Sequence, residues 1–444
     1  MKKTIPLKKA EAKHFSVHGG KKLTGTIETN SSKNGAVVML CASLLNKGTT
    51  TLTHVPKIEE VYRLLEVLES IGVTTSWSGS TLTLTPPKKL SLRTLDKEAG
   101  QKTRSLLMFI GPLLHHFSSF SIPQSGGCKL GSRTVQPHFF ALENLGVSIE
   151  TTEDAHKVHH TGLHGADFVM YESGDTATEN AIMAAARIPA TTTIRYASAN
   201  YMVQDLCSFL ELFGVRFEGV GTTTLTIHGV ADMHKDVTYA ISEDPTDAMF
   251  FLAASIVTKS SITITRAPIR FLELELLKLK KMGFSYTIKK QYKGRNGEID
   301  LVDIVTKTSV LTALDEKIYS RPYPGLNMDN LPFFAVIATQ AHGHTLIHDW
   351  TYEKRAIYYT ELDKLGANTT LMDPHRMLIQ GPSTLRPAEL ICPPALRPAT
   401  ILLIAMLGAK GHSILRNVYS INRGYEDLVT RLRSLGADIS LLHE

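Results

Sequence analysis

The sequence has no hydrophobic run long enough to cross a membrane. Its longest clean apolar stretch, "ATILLIAMLGA" at 399–409, is about half of the ~20 residues that a membrane-spanning helix needs. The N-terminal stretch "MKKTIPLKKAEAKH" is basic, but it contains no apolar segment of the kind found in secretory signals. We therefore expect a cytoplasmic protein that neither spans a membrane nor is secreted.

Cysteine is scarce, and neither sign of charge is in large excess. The four cysteines (Cys41, Cys128, Cys207 and Cys392) are far apart with no C-x-x-C pair, so neither a disulfide framework nor a zinc site is expected. The 18 histidines show no spacing typical of a metal site either. Lysine and arginine (48) exceed aspartate and glutamate (42) by 6, which suits an enzyme with small anionic substrates and does not require nucleic acid.

What the sequence does contain is a repeat. An apolar helix-like stretch that ends in glycine and leads into a strand-like stretch occurs six times, as in "LLEVLESIGVTTSW". Each glycine suits the position just after a helix, where φ is positive. An alanine-rich helix and a threonine-rich strand, as in "AIMAAARIPATTTIRYA", form a second recurring element that precedes it. The six glycines, at intervals of 74, 68, 69, 83 and 70 residues, are Gly72, Gly146, Gly214, Gly283, Gly366 and Gly436.

Six such units exceed what one hydrophobic core holds. The chain has 444 residues, and its 43% hydrophobic and 20% charged content is that of a globular protein. We therefore predict an α/β (α+β) protein with two domains of three ~70-residue units each. The longer fourth interval contains the polar stretch "KKQYKGRNGEIDLVD" at 289–303, which we interpret as an inserted hairpin.

Five short stretches, each at its own place in the repeat, resemble the enolpyruvyl transferase family. The cysteine-containing stretch resembles the cell-wall branch of that family and is absent from its shikimate branch. The five stretches are "SSKNGA" at 31–36, "GGCKLGSR" at 126–133, "TENAIMAAA" at 178–186, "NMDNLPFF" at 327–334 and "INRGYED" at 421–427.

The resemblance implies two inside-out α/β barrels of three units each, the RNA 3′-phosphate cyclase/EPT-like architecture. One domain would comprise residues 1–33 together with 242–444. The other would comprise 34–241 and carry the Cys128 loop. The active site would lie in the cleft between the two domains.

The resemblance also implies a reaction. A transferase of this kind moves the enolpyruvyl (1-carboxyvinyl) group of phosphoenolpyruvate to the 3-hydroxyl of UDP-N-acetylglucosamine and releases phosphate, the first committed step of peptidoglycan synthesis. No cofactor is expected, and the oligomeric state stays open, with a monomer compatible. Two alternatives also stay open: a relative with another acceptor, including shikimate 3-phosphate, and a catalytically weak relative that only binds.

By the same resemblance, Lys33, Cys128 and Asp329 are the catalytic residues. Cys128 is the candidate proton donor, because a thiol with an ordinary pKa of about 8.5 is mostly protonated at neutral pH. It is nucleophilic when ionised, and it is the residue that fosfomycin would alkylate. Asp329 is the candidate general base for the acceptor hydroxyl. An alternative interpretation makes Asp329 the N-cap of the helix that follows it.

The remaining candidates bind substrate groups. Lys33 and Arg133 are assigned to the phosphate of the donor, because lysine and arginine are the side chains that hold such anions. The carboxylate of the donor is assigned to Arg355, Arg397 and Arg423. The nucleotide sugar is assigned to Asn34, Arg104, Thr134, Val135, Gln136 and His138.

Several positions depart from the family pattern, mostly on the acceptor side. Asp175 places a negative charge where the family offers backbone amides to a diphosphate, which weakens that site unless the side chain points away or caps the following helix. The stretch "SANYMV" at 198–203 replaces an Arg-Glu-Pro-Glu run, and "TVQP" at 134–137 also differs. Ala395 and Asn422 each stand where the family has an aspartate.

Overall fold

The computed structural model describes residues 13–124 and 134–443. Within these ranges the chain has the mixed α/β structure predicted from the sequence. Its α-helices are α1 (Lys33–Ala42), α2 (Glu59–Ser70), α3 (Lys97–Lys102), α4 (Ile110–Leu113), α5 (Gln136–Glu143), α6 (Asp175–Ala185), α7 (Tyr201–Glu211), α8 (Pro245–Val257), α9 (Glu273–Lys281), α10 (Leu331–Ala338), α11 (Leu396–Gly408), α12 (Tyr419–Asn422) and α13 (Leu428–Ser434).

The strands form six separate sheets of three to five strands each. Three sheets come from the middle of the chain: β3 (Thr50–Thr53), β4 (Thr74–Ser78), β5 (Thr81–Thr85) and β13 (Val237–Ala240); β6 (Ser119–Pro123), β7 (Val147–Thr151) and β8 (Ala155–His160); β9 (Asp167–Val169), β10 (Thr191–Arg195), β11 (Arg216–Glu218) and β12 (Thr224–His228).

The other three sheets come from the two ends of the chain: β2 (Thr26–Glu28), β14 (Thr263–Pro268), β15 (Tyr286–Lys293) and β16 (Asp300–Thr306); β17 (Leu311–Thr312), β18 (Ile318–Tyr319), β19 (Ala341–His348), β20 (Asn368–Asp373) and β21 (Arg376–Gly381); β1 (Lys13–Gly19), β22 (Glu389–Ile391), β23 (Gly411–Arg416) and β24 (Asp438–His443). Most neighbouring strands are antiparallel, but β2, for example, runs parallel to β14 and β13 runs parallel to β3.

The predicted repeat is confirmed by its glycines. All six have a positive φ, between 86° and 107°. Gly72 shows the local reason: α2 ends at Ser70, and the chain must reverse there before β4 begins at Thr74. A residue with a β-carbon is strained at such a φ, so glycine marks the end of this helix in each unit.

The buried apolar side chains form two large clusters. The first core is built from residues between 36 and 241, joined by Phe271, Ile299 and Leu301. The second core is built from residues between 15 and 27 and between 248 and 439. In the second core α8, α10 and α11 pack against one another and are almost wholly buried, with the sheets outside them. The domain limits at 33/34 and 241/242 stay a prediction.

The chain passes between the two cores twice, and the two passages are hydrogen-bonded to each other. The Ser32 amide donates to the Ser242 carbonyl at 2.7 Å, and the Asp244 amide donates to the Asn30 carbonyl at 2.8 Å. The hairpin of β15 and β16, which confirms the insertion predicted at 289–303, also contacts this place through its turn. Asn296 Nδ2 donates to Ser242 Oγ at 2.8 Å. In the described parts of the chain, no helix is long and apolar enough to span a bilayer.

Candidate active site

A cleft of about 610 Å³ lies between the two cores. Residues from both cores line it. They include the start of α1, the segment just before α10 and the first turn of α11. The predicted site residues that the structure brings together there are Lys33, Asn34, Arg104, Thr134, His138, Asp329, Arg355, Arg397 and Arg423. Val135 and Gln136 do not line the cleft, because Val135 packs against the first core and Gln136 is exposed. Cys128 and Arg133 lie outside the described residues.

Lys33 is the first residue of α1, at the passage between the cores. Ser32 caps this helix, since its Oγ accepts a hydrogen bond from the Gly35 amide at 2.9 Å. The Lys33 ammonium donates to Asn34 Oδ1 at 3.3 Å. The cap and the passage therefore place the Lys33 ammonium and the Asn34 amide in the cleft between the two cores. The N-terminus of α1 also favours anions there.

Asp329 and Arg397 form an ion pair in the wall of the second core. Arg397, in the first turn of α11, donates from Nη2 to Asp329 Oδ2 at 3.1 Å and from Nη1 to the Tyr425 hydroxyl at 3.0 Å. Burial raises the pKa of Asp329, but the Arg397 and Arg355 guanidiniums outweigh it and hold that pKa below its ordinary value. Asp329 is therefore a carboxylate at neutral pH, the form that accepts a proton.

The interpretation of Asp329 as a helix N-cap is wrong. α10 begins at Leu331, its N-cap residue is Asn330, and no side chain caps it. The Asp329 amide instead donates to Asn327 Oδ1 at 2.8 Å, which turns the chain one residue before the helix. The Asp329 carboxylate thus points to the cleft because Arg397 attracts it. Arg397 is far away in the chain, so no local pattern in the sequence indicates this contact.

Arg355 is anchored by a carboxylate that the sequence analysis missed. Its side chain is buried and donates to both oxygens of Asp349, at 2.5 Å from Nε and 2.9 Å from Nη2. The Tyr359 hydroxyl donates to the same carboxylate at 2.6 Å. Arg355 Nη2 also donates to the Met328 carbonyl at 2.7 Å, so this paired guanidinium fixes the backbone immediately before Asp329.

Arg423 pairs with a residue of the opposite core. Its Nη2 lies 2.8 Å from Oε2 of Glu60, a buried residue of α2. Glu60 also accepts hydrogen bonds from the hydroxyls of Thr103 and Ser105. Burial raises the pKa of Glu60, but Lys33, Arg423 and the Thr103 hydroxyl together lower it to about 2. This second missed carboxylate joins the two walls of the cleft.

His138 lies in α5 on the wall of the first core. Asn180 Nδ2 lies 3.3 Å from its Nδ1, and the Thr176 hydroxyl lies 3.3 Å from its Nε2. Burial, helped by the charge of Arg104, lowers the pKa of His138 to about 3. The imidazole is therefore neutral. Arg104 itself donates from Nη2 to the carbonyl of Thr134 at 2.9 Å, which places both residues at the edge of the cleft.

Two of the departures from the family pattern contact each other. Asp175 does not cap α6, since Gly174 is the N-cap residue and Asp175 is the first residue of the helix. Its carboxylate accepts hydrogen bonds from Ser198 Oγ at 2.5 Å and from Asn200 Nδ2 at 3.1 Å. Both donors belong to "SANYMV". The new carboxylate therefore finds its hydrogen-bond donors in the new stretch, while Asp175 still lines the cleft.

Glu179 is a cleft-lining carboxyl group to which the sequence analysis gave no role, although it lies within "TENAIMAAA". It is buried, and its Oε1 has no hydrogen-bond partner in the structure. Burial, and then the charge of Asp175, raise its pKa well above the ordinary value, which favours the protonated form of the group. Ala395, where the family has an aspartate, packs in a small apolar cluster with Tyr352, Met328 and Tyr358.

The remaining three cysteines are free and buried: Cys41 in α1, Cys207 in α7 and Cys392 after β22. Burial raises the pKa of each thiol above its ordinary value. They are therefore unreactive core residues, as predicted. Among the described side chains, no cluster of three or more His, Cys, Asp or Glu is placed to hold a metal ion.

Comparison with known proteins assigns the family. Residues 17–432 match the family model of EPSP synthase (3-phosphoshikimate 1-carboxyvinyltransferase). The UDP-N-acetylglucosamine 1-carboxyvinyltransferase of Treponema denticola is 34% identical and aligns over 96% of this chain and 99% of its own. The protein of the same name from Bradyrhizobium diazoefficiens is 33% identical, over 97% and 98%.

Solved structures share the fold. The enolpyruvyl transferase NikO from Streptomyces tendae is similar over 98% of this chain and all of its own, with a TM-score of 0.85 at 22% identity. An EPSP synthase from Acinetobacter baumannii has a TM-score of 0.74 at 18% identity, over 97% of this chain and all of its own. The chain belongs to the enolpyruvyl transferase family, which confirms the predicted resemblance.

Proposed function

We propose that this member of the enolpyruvyl transferase family moves the 1-carboxyvinyl group of phosphoenolpyruvate to the 3-hydroxyl of UDP-N-acetylglucosamine and releases phosphate. The relatives that carry the name of this reaction align with nearly the whole chain. The observation that carries the proposal is the convergence of Lys33, Arg397 and Arg423 with Asp329 on one cleft. A small substrate with two anionic groups needs such fixed cations around one carboxylate base.

The cations divide between the two ends of the donor. Lys33, at the start of α1, is assigned to the phosphate, with Arg133 as its expected partner. Arg397 and Arg423 are assigned to the carboxylate, with Arg355 behind them. Since Arg355 is already paired with Asp349, we assign it to orienting the segment around Asp329 more than to attracting the donor.

Proton transfers by Asp329 and Cys128 complete the assignment. The acceptor oxygen forms a bond to C2 of the donor while Asp329 takes the hydroxyl proton and Cys128 gives a proton to the CH₂ carbon. The C2–O bond to the phosphate then breaks while the Cys128 thiolate takes a proton back from the new methyl group, which restores the vinyl group, and the proton held by Asp329 leaves with the phosphate. Asp329 suits its role because its carboxylate is ionised and lines the cleft. The role of Cys128 rests on the family resemblance alone.

The proposal extends to the setting of the enzyme. Phosphoenolpyruvate and a UDP-sugar are its partners, and we expect the reaction in the cytoplasm as an early step of cell-wall synthesis. One chain supplies residues from both sides of the cleft, so a monomer is sufficient. We propose domains of 34–241 and of 1–33 with 242–444, which approach each other when the substrates bind.

Phosphate release tests this function. The protein is incubated with phosphoenolpyruvate and UDP-N-acetylglucosamine, and with shikimate 3-phosphate in a parallel tube. We expect release with the nucleotide sugar only. Release with shikimate 3-phosphate only would assign the enzyme to the shikimate branch of the family. Release with neither acceptor would reject both assignments.

A further inference from the structure

Three large aromatic side chains line the cleft and are exposed. Tyr171 is 72% exposed, Tyr196 49% and Trp350 47%, and all three face the same cavity. Aromatic rings usually bury most of their surface. Exposed rings grouped in a cleft therefore indicate a surface that a ligand covers.

Tyr171 and Tyr196 are neighbours because they follow two adjacent parallel strands. Val169 at the end of β9 pairs with Arg195 at the end of β10, and the Met170 amide donates to the Arg195 carbonyl at 2.9 Å. Each tyrosine comes directly after this last contact. The two tyrosines therefore follow neighbouring strand ends and line the cleft on the side of the first core.

Backbone geometry, ring packing and a hydrogen bond position these three side chains. Tyr196 has a φ of 58°, in the left-handed region that a bulky side chain rarely adopts. His54 and Asn417, which directly follow β3 and β23, have the same φ of 58°, so the repeated fold sets this backbone geometry at the ends of these strands. The Tyr171 ring packs against Phe140 with 5.4 Å between ring centroids. On the opposite wall, Trp350 Nε1 donates to the Ser320 carbonyl at 2.6 Å, which fixes the indole.

The chemistry of the ligand follows from the rings. A phosphate or carboxylate is held by cations and has no flat face to cover an aromatic ring, whereas a nucleobase stacks on exposed tyrosine and tryptophan rings. In the proposed reaction only the acceptor carries such a base. We propose that Tyr171 and Tyr196 bind the pyrimidine base of the nucleotide sugar by stacking, with Trp350 facing it from the other wall.

This inference rests on the proposed function and assigns the base to residues outside 134–138, the stretch expected to contact the nucleotide sugar. It also explains why that stretch has changed while the reaction is kept: two tyrosines on a different sheet edge supply the contact surface. The base is then recognised by shape and stacking.

Binding of three probes tests the stacking. Calorimetry compares UDP, which carries the base, with pyrophosphate and N-acetylglucosamine 1-phosphate, which do not. Tyr171→Ala and Tyr196→Asn should each weaken UDP binding about tenfold, since stacking on one aromatic side chain contributes that order of affinity. Asn tolerates a positive φ, so Tyr196→Asn removes the ring without new backbone strain. Binding of the other two probes should stay within about twofold.

Two controls separate stacking from loss of structure. Tyr171→Phe keeps the ring and should bind UDP as the wild type does. Val169→Ala changes an exposed residue of β9 that does not line the cleft, and it should have no effect. In the phosphate-release assay, both ring deletions should raise the KM for UDP-N-acetylglucosamine and leave kcat and the KM for phosphoenolpyruvate unchanged.

The proposal is overturned if UDP binds the ring-deletion variants as tightly as the wild type, or if UDP and pyrophosphate weaken equally in folded variants. It is also overturned if the wild type does not bind UDP more tightly than pyrophosphate. A failure of the proposed function has a different signature: UDP would still bind through the tyrosines, but UDP-N-acetylglucosamine would give no phosphate release.

Discussion

The two walls of the cleft are built by different means. On the wall of the second core, buried charges are paired with each other: Arg397 with Asp329, and Arg355 with Asp349. Such pairs hold cations at fixed positions without solvent rearrangement, which suits a donor whose two anionic groups never vary. This wall is organised by charge before any substrate arrives.

The wall of the first core adds hydrogen bonds of uncharged groups to its charged residues Lys33, Glu60 and Arg104. His138 is an uncharged imidazole beside Asn180, and Asp175 is held by Ser198 and Asn200. Hydrogen bonds of this kind fix shape but attract anions weakly. The comparison teaches that paired charges organise one wall, whereas hydrogen bonds between uncharged groups contribute more to the other, so we expect the second wall to tolerate more sequence change.

The largest expected effect comes from removing the base on the charged wall. Asp329→Asn should lower kcat about 10²- to 10⁴-fold, because general base catalysis contributes that order to a rate. Phosphate release measures it. Asp315→Asn, an exposed aspartate outside the cleft, is the matched control and should be as active as the wild type. An Asp329→Asn variant of nearly full activity would remove Asp329 from the mechanism.

Glu60 joins the two walls, so its loss should weaken both stability and donor binding. Glu60→Gln should cost about 2 kcal/mol in the free energy of unfolding, since it leaves Arg423 with a neutral partner at a buried site. The KM for phosphoenolpyruvate should rise, because Arg423 is no longer held. Denaturant unfolding measures the first effect, and Glu66→Gln on the exposed face of α2 is the control, with less than about 0.5 kcal/mol.

The same residue gives a pH signature. The pKa of Glu60 in the folded protein is about 2, below its ordinary value of 4.5. Its contribution to stability is therefore complete above about pH 4.5 and is lost as the pH falls toward 2. The wild type should lose stability over this range more steeply than Glu60→Gln. Parallel pH profiles of the two proteins would contradict the pairing across the cleft.

The pKa of His138, on the wall of the first core, gives a second pH-dependent prediction. Its pKa in the folded protein is about 3, against an ordinary value of 6.5. Its neutral form therefore stabilises the fold above pH 6.5, and this contribution declines as the pH falls toward 3. Relative to His138→Gln, the wild type should lose about 1.4 kcal/mol between pH 8 and pH 5.5. An equal pH dependence in both proteins would show that His138 titrates normally.

The smallest expected effect concerns the contact between Asp175 and Asn200. Asp175→Asn and Asn200→Ala should each destabilise the protein, and the double variant should cost less than their sum by about 1 kcal/mol. Thermal or denaturant unfolding of the four proteins gives this coupling. Full additivity would mean that the two departures from the family pattern arose independently of each other.

The repeat and the site stretches were predictable because each depends on local or family patterns. A glycine after a helix has a physical reason that acts within a few residues, so six copies identified the unit and its number. Lys33, Asp329, Arg397 and Arg423 were predictable because their stretches resemble those of one family. The error about Asp329 as an N-cap shows the limit of this reasoning, since its carboxylate is directed by Arg397, 68 residues away in the chain.

The sequence by itself determined the six units, the α/β class, the family and nine of the charged and polar residues that line the cleft. Only the tertiary structure decided how their charges are balanced. Glu60 and Arg423 are 363 residues apart, yet they meet because two separately formed cores face each other. Tyr171 and Tyr196 are likewise brought to one cleft only through the pairing of β9 with β10. Contacts of this kind depend on where whole elements pack, which no local pattern of residues encodes.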